Sequence, residues 1–136
     1  MTESVPSSWR DIGERVEAMC MALPEVTMRS HGWPRLFNIR RDTFCLLSAR
    51  EDPDGGFVPM VVLRTDPEER RVLLAIGPPY FDSRAGFGRI EVLLDDNTDW
   101  EELCELVTES YRTVAPKKLI ALLDNELGNA VRANDR

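Results

Sequence analysis

Arginine is concentrated between residues 29 and 50, and this segment has the residue types best suited to bind phosphate. Five arginines stand there against one acid, Asp42, so the segment carries +4 within a chain whose net charge is −7. Guanidinium groups bind nucleic acid when several reach one phosphate backbone, and Arg35, Arg40 and Arg41 are close enough along a hairpin to do so. The alternative is a solvated hairpin whose arginines pair with the surplus carboxylates of the protein. The five are Arg29, Arg35, Arg40, Arg41 and Arg50.

Aromatic and cationic side chains also alternate between Tyr80 and Arg89. Rings that face solvent can stack on bases while Arg84 and Arg89 hold phosphate, which would make a platform for single-stranded nucleic acid. The alternative is that the rings of Tyr80, Phe81 and Phe87 close one end of the hydrophobic core. Gly86 and Gly88 form only a G-x-G, without the strand-turn-helix context of a dinucleotide-binding loop.

Two lysines, Lys117 and Lys118, follow Pro116 in the first turn of a predicted final helix. The helix macrodipole disfavours cations there by roughly 0.3 kcal/mol or more each, and ammonium groups beside free backbone N–H groups can hold an anion. The alternative is pairing with nearby acids such as Glu109. Together these segments predict one candidate set for binding anions or nucleic acid: Arg35, Arg40, Arg41, Arg84, Arg89, Lys117 and Lys118.

The third predicted helix is acidic. Glu101, Glu105 and Glu109 share one of its faces, where like charges cost roughly 0.2 to 0.5 kcal/mol per pair. This ridge could attract a basic protein partner or weakly bind hard cations, in which case the protein would be an adaptor. The alternative is a solvated face on which the positive end of the helix dipole reduces the repulsion between the carboxylates.

Catalytic chemistry has little support in the sequence. The one histidine, His31, has no adjacent acid or nucleophile, and no zinc-protease, nucleophile-elbow or P-loop motif occurs. Cys20, Cys45 and Cys104 are widely spaced and lack a C-x-x-C pair. We therefore predict a binding domain rather than an enzyme, with no catalytic residue, no metal site and no cofactor. The alternative is a small-ligand protein or enzyme with a pocket near His31 and Trp33.

Composition limits the class of protein. The chain has 136 residues, about one domain, and its 43% hydrophobic and 30% charged content is typical of globular proteins. We expect no membrane span and no secretory signal, a cytoplasmic location, and a monomer or weak dimer. Because the net charge repels polyanions, any nucleic-acid binding through the local basic patch should be weak and salt-sensitive. The other expected partner is a protein.

Hydrophobic periodicity predicts the elements that position these groups. Strands clustered between helices with short links favour an α+β fold, a two-layer sandwich in which an antiparallel sheet carries helices on one face, in the order α-β-β-β-α-β-β-α. We expect a single domain at 8–128 between flexible termini at 1–7 and 129–136. The predicted elements are a helix from Ser8 to Pro24, hairpin strands at 36–40 and 43–48 around Arg41 and Asp42, a strand at 58–64, a helix from Asp66 to Gly77, strands at 80–81 and 90–94, a helix capped by Thr98, and a short final helix ending near Gly128.

Several of these segments, taken in order, resemble the MmcQ/YjbR family. They are the opening helix that ends in Leu23-Pro24, the segment His31–Ile39, the segment Val62–Glu69, Pro78–Phe81, and Ala115–Leu119. The likeness covers roughly residues 9 to 124. It implies a two-layer domain like the one predicted above, of a kind commonly labelled DNA-binding. Many members carry His or Lys in the loop before the last strand, whereas this chain has Asp82–Gly88 without either residue, so no role of those residues carries over.

Overall fold

The computed structural model describes residues 7–30, 32–83, 86 and 88–134. It confirms the α+β fold and the predicted order of the main elements. The helices are α1 (Ser7–Met21), α2 (Pro67–Ile76), α3 (Trp100–Val114) and α4 (Lys117–Asn134), and the strands are β1 (Thr27–Arg29), β2 (Arg35–Ile39), β3 (Asp42–Glu51), β4 (Phe57–Arg64), β5 (Tyr80–Asp82) and β6 (Arg89–Leu93). Within the described residues, no helix is long and apolar enough to cross a membrane.

The six strands form one antiparallel sheet in the order β1-β2-β3-β4-β6-β5. The strands β2, β3 and β4 follow one another as hairpins, while β6 pairs with β4 across the α2–β5 connection. Because neighbouring strands alternate in direction, the end of β4, the start of β6 and the β2–β3 turn lie at the same end of the sheet.

The two faces of the sheet differ in what covers them. Cys45, Leu63 and Ile90 are cross-strand neighbours on one face and belong to a single hydrophobic core, which also includes side chains from all four helices. Met60 and Val62 project from the other face; they are buried by their neighbours but lie outside that core. We call this second side of the sheet the open face.

Local capping chemistry sets the ends of α2 as predicted. The Asp66 side chain accepts a hydrogen bond from the Glu69 backbone N–H at 2.8 Å, Pro67 occupies the first turn, and Gly77 ends the helix with φ of 88°. The predicted cap of α3 is shifted by one residue. Asp99, not Thr98, caps that helix, because the Thr98 hydroxyl instead accepts a hydrogen bond from the Asp95 backbone N–H.

A hydroxyl from α3 extends the sheet at the end of β4. The ladder between β3 and β4 ends at the pair Cys45 and Leu63. Beyond it, the fully buried hydroxyl of Ser110 accepts a hydrogen bond from the Arg64 backbone N–H at 2.8 Å and donates one to the Phe44 carbonyl. This bridge fixes the backbone of Arg64 where β4 leaves its hairpin partner.

Three other boundaries differ from the sequence prediction. The edge strand β1 was not predicted, because three residues are too few to show a period of two. The β2–β3 turn is Arg40-Arg41 rather than Arg41-Asp42, and Arg40 is the residue with left-handed geometry, at φ 58°. The predicted stop at Gly128 is wrong, since α4 continues to Asn134; one glycine costs a helix interior only about 1 kcal/mol.

Candidate functional site

Four arginines meet at one end of the sheet, which we call the arginine end: Arg40, Arg41, Arg64 and Arg89. Arg40 and Arg41 form the β2–β3 turn, Arg64 is the last residue of β4, and Arg89 is the first residue of β6. The antiparallel topology brings these positions together although the first and the last are 49 positions apart in the sequence. Arg40, Arg41 and Arg89 were predicted as site residues from the sequence, whereas Arg64 was not.

Arg64 and Arg89 are direct partners across β4 and β6. Since Leu63 and Ile90 point into the core, the alternation of side chains along a strand places both arginines on the open face. The Arg64 Nε donates to the Thr43 carbonyl at 3.0 Å, which draws that side chain over β3. Both residues are half-buried.

A hollow of about 280 Å³ lies on the open face beside this pair. Its floor is apolar, formed chiefly by Leu36, Leu46 and Val62 on three adjacent strands, and Arg64 and Arg89 stand at its rim. Such a hollow can receive a flat apolar group while the two guanidinium groups hold an anion next to it.

Asp82, which lies opposite Ile90 across β5 and β6, is engaged by Arg70. Asp82 forms an ion pair with Arg70 of α2, and the Arg70 Nε also donates to the Arg89 carbonyl at 3.1 Å. Arg70 therefore fixes the start of β6 and takes up the charge of Asp82.

The turn arginines are exposed. Within the described residues, neither Arg40 nor Arg41 forms an ion pair, although Asp42 follows them directly. The alternative in which the hairpin arginines pair with surplus carboxylates thus does not apply to these two. Across the open face, in contrast, Arg50 pairs with Glu91 at 2.8 Å and lies 4.0 Å from the centre of the Phe81 ring.

Arg35 stands apart from the arginine end. It begins β2 at the opposite end of the sheet and projects toward α1, where its guanidinium group pairs with Glu17 at 2.9 Å. Its Nε donates to the Gly32 carbonyl at 2.8 Å, and it lies 6.0 Å from the Trp33 ring centre. These contacts hold the segment before β2 against α1 and leave Arg35 occupied.

Lys117 and Lys118 are the first two residues of α4, whose Leu119 and Leu123 belong to the core on the helix-covered face of the sheet. Helix α3 runs toward the arginine end, because Ser110 contacts Phe44 and Arg64, and α4 begins about two turns later. Both lysines are exposed and form no ion pair within the described residues. Glu109, their expected partner, lies 3.6 Å from Arg112 instead.

The aromatic residues near Arg89 divide between the two faces. Tyr80 packs against the core, as expected for rings that close its end, whereas Phe81 lies on the open face beneath Arg50. Arg84 and Phe87 fall outside the described residues, as does His31. Trp33 packs against Trp9, with ring centres 5.2 Å apart, and does not line the hollow beside Arg64 and Arg89.

Arg64 could have been found from the sequence by one signal. Arg64 is the last residue of an apolar strand and comes shortly before a capped helix. A cation at that position lies at the end of the sheet, next to the strand that pairs with β4. The pairing of β4 with β6 supplies the missing partner, Arg89.

The family of the chain follows from comparison with known proteins. The YjbR family model matches residues 21–113, which is more than half of the chain. The chain therefore belongs to the YjbR family, as the resemblance predicted. The matched region includes all four residues of the arginine end and stops short of α4. A search of curated protein sequences gives no match.

Proposed function

We propose that this protein is a non-enzymatic binding domain that holds nucleic acid, preferably single-stranded, at the arginine end. The observation that carries the proposal is the direct pairing of Arg64 with Arg89 beside an apolar hollow on the open face. The family label of DNA binding points to the same class of ligand.

The spacing of the cations suits a phosphate backbone. β3 and β6 are two strand spacings apart, about 10 Å, so the turn arginines and the Arg64–Arg89 pair can contact neighbouring phosphates of one strand, with one contact for each arginine. The apolar floor of Leu36, Leu46 and Val62 would take one unstacked base, which a duplex does not offer. This is the reason to prefer a single strand.

The net charge of the molecule determines how strongly we expect it to bind nucleic acid. The protein carries −7, so the field far from the arginine end repels polyanions and only the local patch attracts them. Binding should therefore be weak at physiological salt. Four phosphate contacts on a single strand give a log-log slope of affinity against salt of about −3.

A salt titration tests the proposal. Fluorescence anisotropy of a labelled single-stranded oligonucleotide, measured at several low salt concentrations, should show saturable binding with that slope, and a duplex of the same sequence should bind more weakly. No saturable binding of either oligonucleotide at low salt would refute the proposal. Equal binding of strand and duplex would remove the role of the hollow and leave only the charge contacts.

A further inference from the structure

A second cleft lies at the end of the sheet opposite the arginine end. It has a volume of about 660 Å³ and opens between the end of α2, the strands β5 and β6, and the start of α3. Its apolar wall includes Ile76, Val92, Leu103 and Leu106. A cleft of this size is within the range that small organic molecules occupy in proteins.

The rim of this cleft is acidic. Asp95, Asp99 and Glu102 all line it, and within the described residues no cation pairs with any of the three. Asp95 accepts the Asn97 backbone N–H at 2.8 Å and Asp99 accepts the Glu102 backbone N–H at 3.1 Å. These hydrogen bonds fix two of the carboxylates at the rim, and each leaves a second oxygen for a ligand.

Tyr80 adds a neutral polar group to the same rim. Burial raises the pKa of its phenol above the ordinary value, and the charges of Glu102 and Asp99 raise it further. The phenol thus stays protonated near neutral pH and lies close enough to these carboxylates to sense their charge.

We propose that this cleft binds a small organic cation, a primary amine carried on an apolar alkyl or arylalkyl stem. The stem fits the apolar wall, and the ammonium group lies at the rim, where the carboxylates attract it and the Tyr80 hydroxyl can accept a hydrogen bond from it. Anions are repelled by the rim, and a neutral molecule with the same stem lacks the attraction of the three carboxylates.

A metal ion fits the cleft less well than an amine. Within the described residues, no three His, Cys, Asp or Glu side chains are gathered closely enough to hold one. The positive end of the α3 dipole, equivalent to about half a charge, opposes a cation, but three carboxylates outweigh it. The cleft and the arginine end lie at opposite ends of the sheet, so each proposal stands or fails separately.

Titration followed by amide chemical shifts tests the proposal with matched probes. 2-Phenylethylamine should shift the resonances of Tyr80, Val92 and Leu103, and 2-phenylethanol, which has the same stem without the charge, should bind at least tenfold more weakly. Equal affinity of the amine and the alcohol, or shifts confined to other parts of the protein, would overturn the assignment. Tighter binding of a peptide with an unmodified lysine side chain than of any free amine would assign the cleft to a protein partner and overturn the small-molecule proposal.

Two substitutions separate charge from folding. Asp99→Asn keeps a good helix cap while removing one carboxylate charge, and Glu102→Gln removes a second. The double variant should bind the amine at least tenfold more weakly. Glu101→Gln is the control, because Glu101 is an exposed acid on the same turn that does not line the cleft. An equal loss in the control, or no loss in the double variant, would contradict the proposed site.

Discussion

Arg64 and Arg89 lie directly opposite each other on neighbouring strands at the end of the sheet. Like charges in this arrangement destabilise a sheet, typically by a few tenths of a kcal/mol, and the fold adds two exposed arginines at the same end. Hydrogen bonds from two other elements hold the backbone at both arginines. Ser110 holds the backbone of Arg64, while Arg70 holds that of Arg89.

Inorganic phosphate should stabilise the protein by binding at this pair. A ligand that binds only the folded state raises its stability in proportion to the logarithm of ligand concentration above Kd. The melting temperature should therefore rise with phosphate at constant ionic strength. The variant Arg64→Gln/Arg89→Gln should lose most of this rise. An undiminished rise in the variant would place the anion elsewhere.

Ser110→Ala should destabilise the fold by about 2 kcal/mol, because it leaves the buried Phe44 carbonyl and Arg64 N–H without their partner. Urea unfolding measures this change. Thr108→Ala is the matched control, since the Thr108 hydroxyl bonds only to the Cys104 carbonyl on the surface of the same helix. Its cost should stay within about 0.5 kcal/mol.

Arg40→Asn should raise stability by about 0.5 to 1 kcal/mol, because asparagine tolerates the left-handed geometry that Arg40 adopts at φ 58°. The same change should weaken oligonucleotide binding a few fold. Arg41→Asn removes an equal charge at a position without positive φ and should bring no gain in stability. Equal stability changes in the two variants would show that the turn is not strained.

The pKa of Glu69 is raised, first by burial and then by the charges of Asp66, Glu109 and Glu102. A raised folded-state pKa means that the folded protein holds this proton more tightly. The contribution of Glu69 to stability is therefore favourable below its ordinary pKa of 4.5 and is lost as pH rises through the folded value. Glu69→Gln should be more stable than the parent at pH 7 and should lose that advantage near pH 4.

Urea unfolding at both pH values measures this difference. Glu68→Gln is the control, because Glu68 occupies the same helical turn with its side chain largely exposed. An advantage of Glu69→Gln that is the same at both pH values would contradict the assignment.

Much of the fold can be predicted from short stretches of the sequence. Asp66, Pro67 and Gly77 have the capping chemistry that bounds α2, and the short apolar runs around Arg40 and Arg41 predict their hairpin. These features depend on a few consecutive residues, so the sequence is sufficient to predict them.

The candidate sites could be predicted from the sequence only in part, because they depend on strand order. No local sequence feature shows that β6, and not β5, is the strand that pairs with β4. Without the pairing of β4 with β6, Arg64 has no cross-strand partner. Arg35 was expected to join the other arginines. Its place at the far end of β2, beside Glu17, follows from which face of the strand meets α1. The acidic cleft combines residues from α2, β5, β6 and α3, and no single motif marks it.

The most direct test of the arginine end compares two variants with the same loss of charge. Arg64→Gln/Arg89→Gln removes the pair, whereas Arg10→Gln/Arg29→Gln removes two exposed cations from α1 and from the far end of the sheet. The measurement is the Kd of a single-stranded oligonucleotide at low salt. We expect the first variant to bind at least tenfold more weakly than the parent protein and the second to bind within about threefold of it, since only contacting charges release counterions. Equal losses in the two variants would show that overall charge governs binding and would contradict the site.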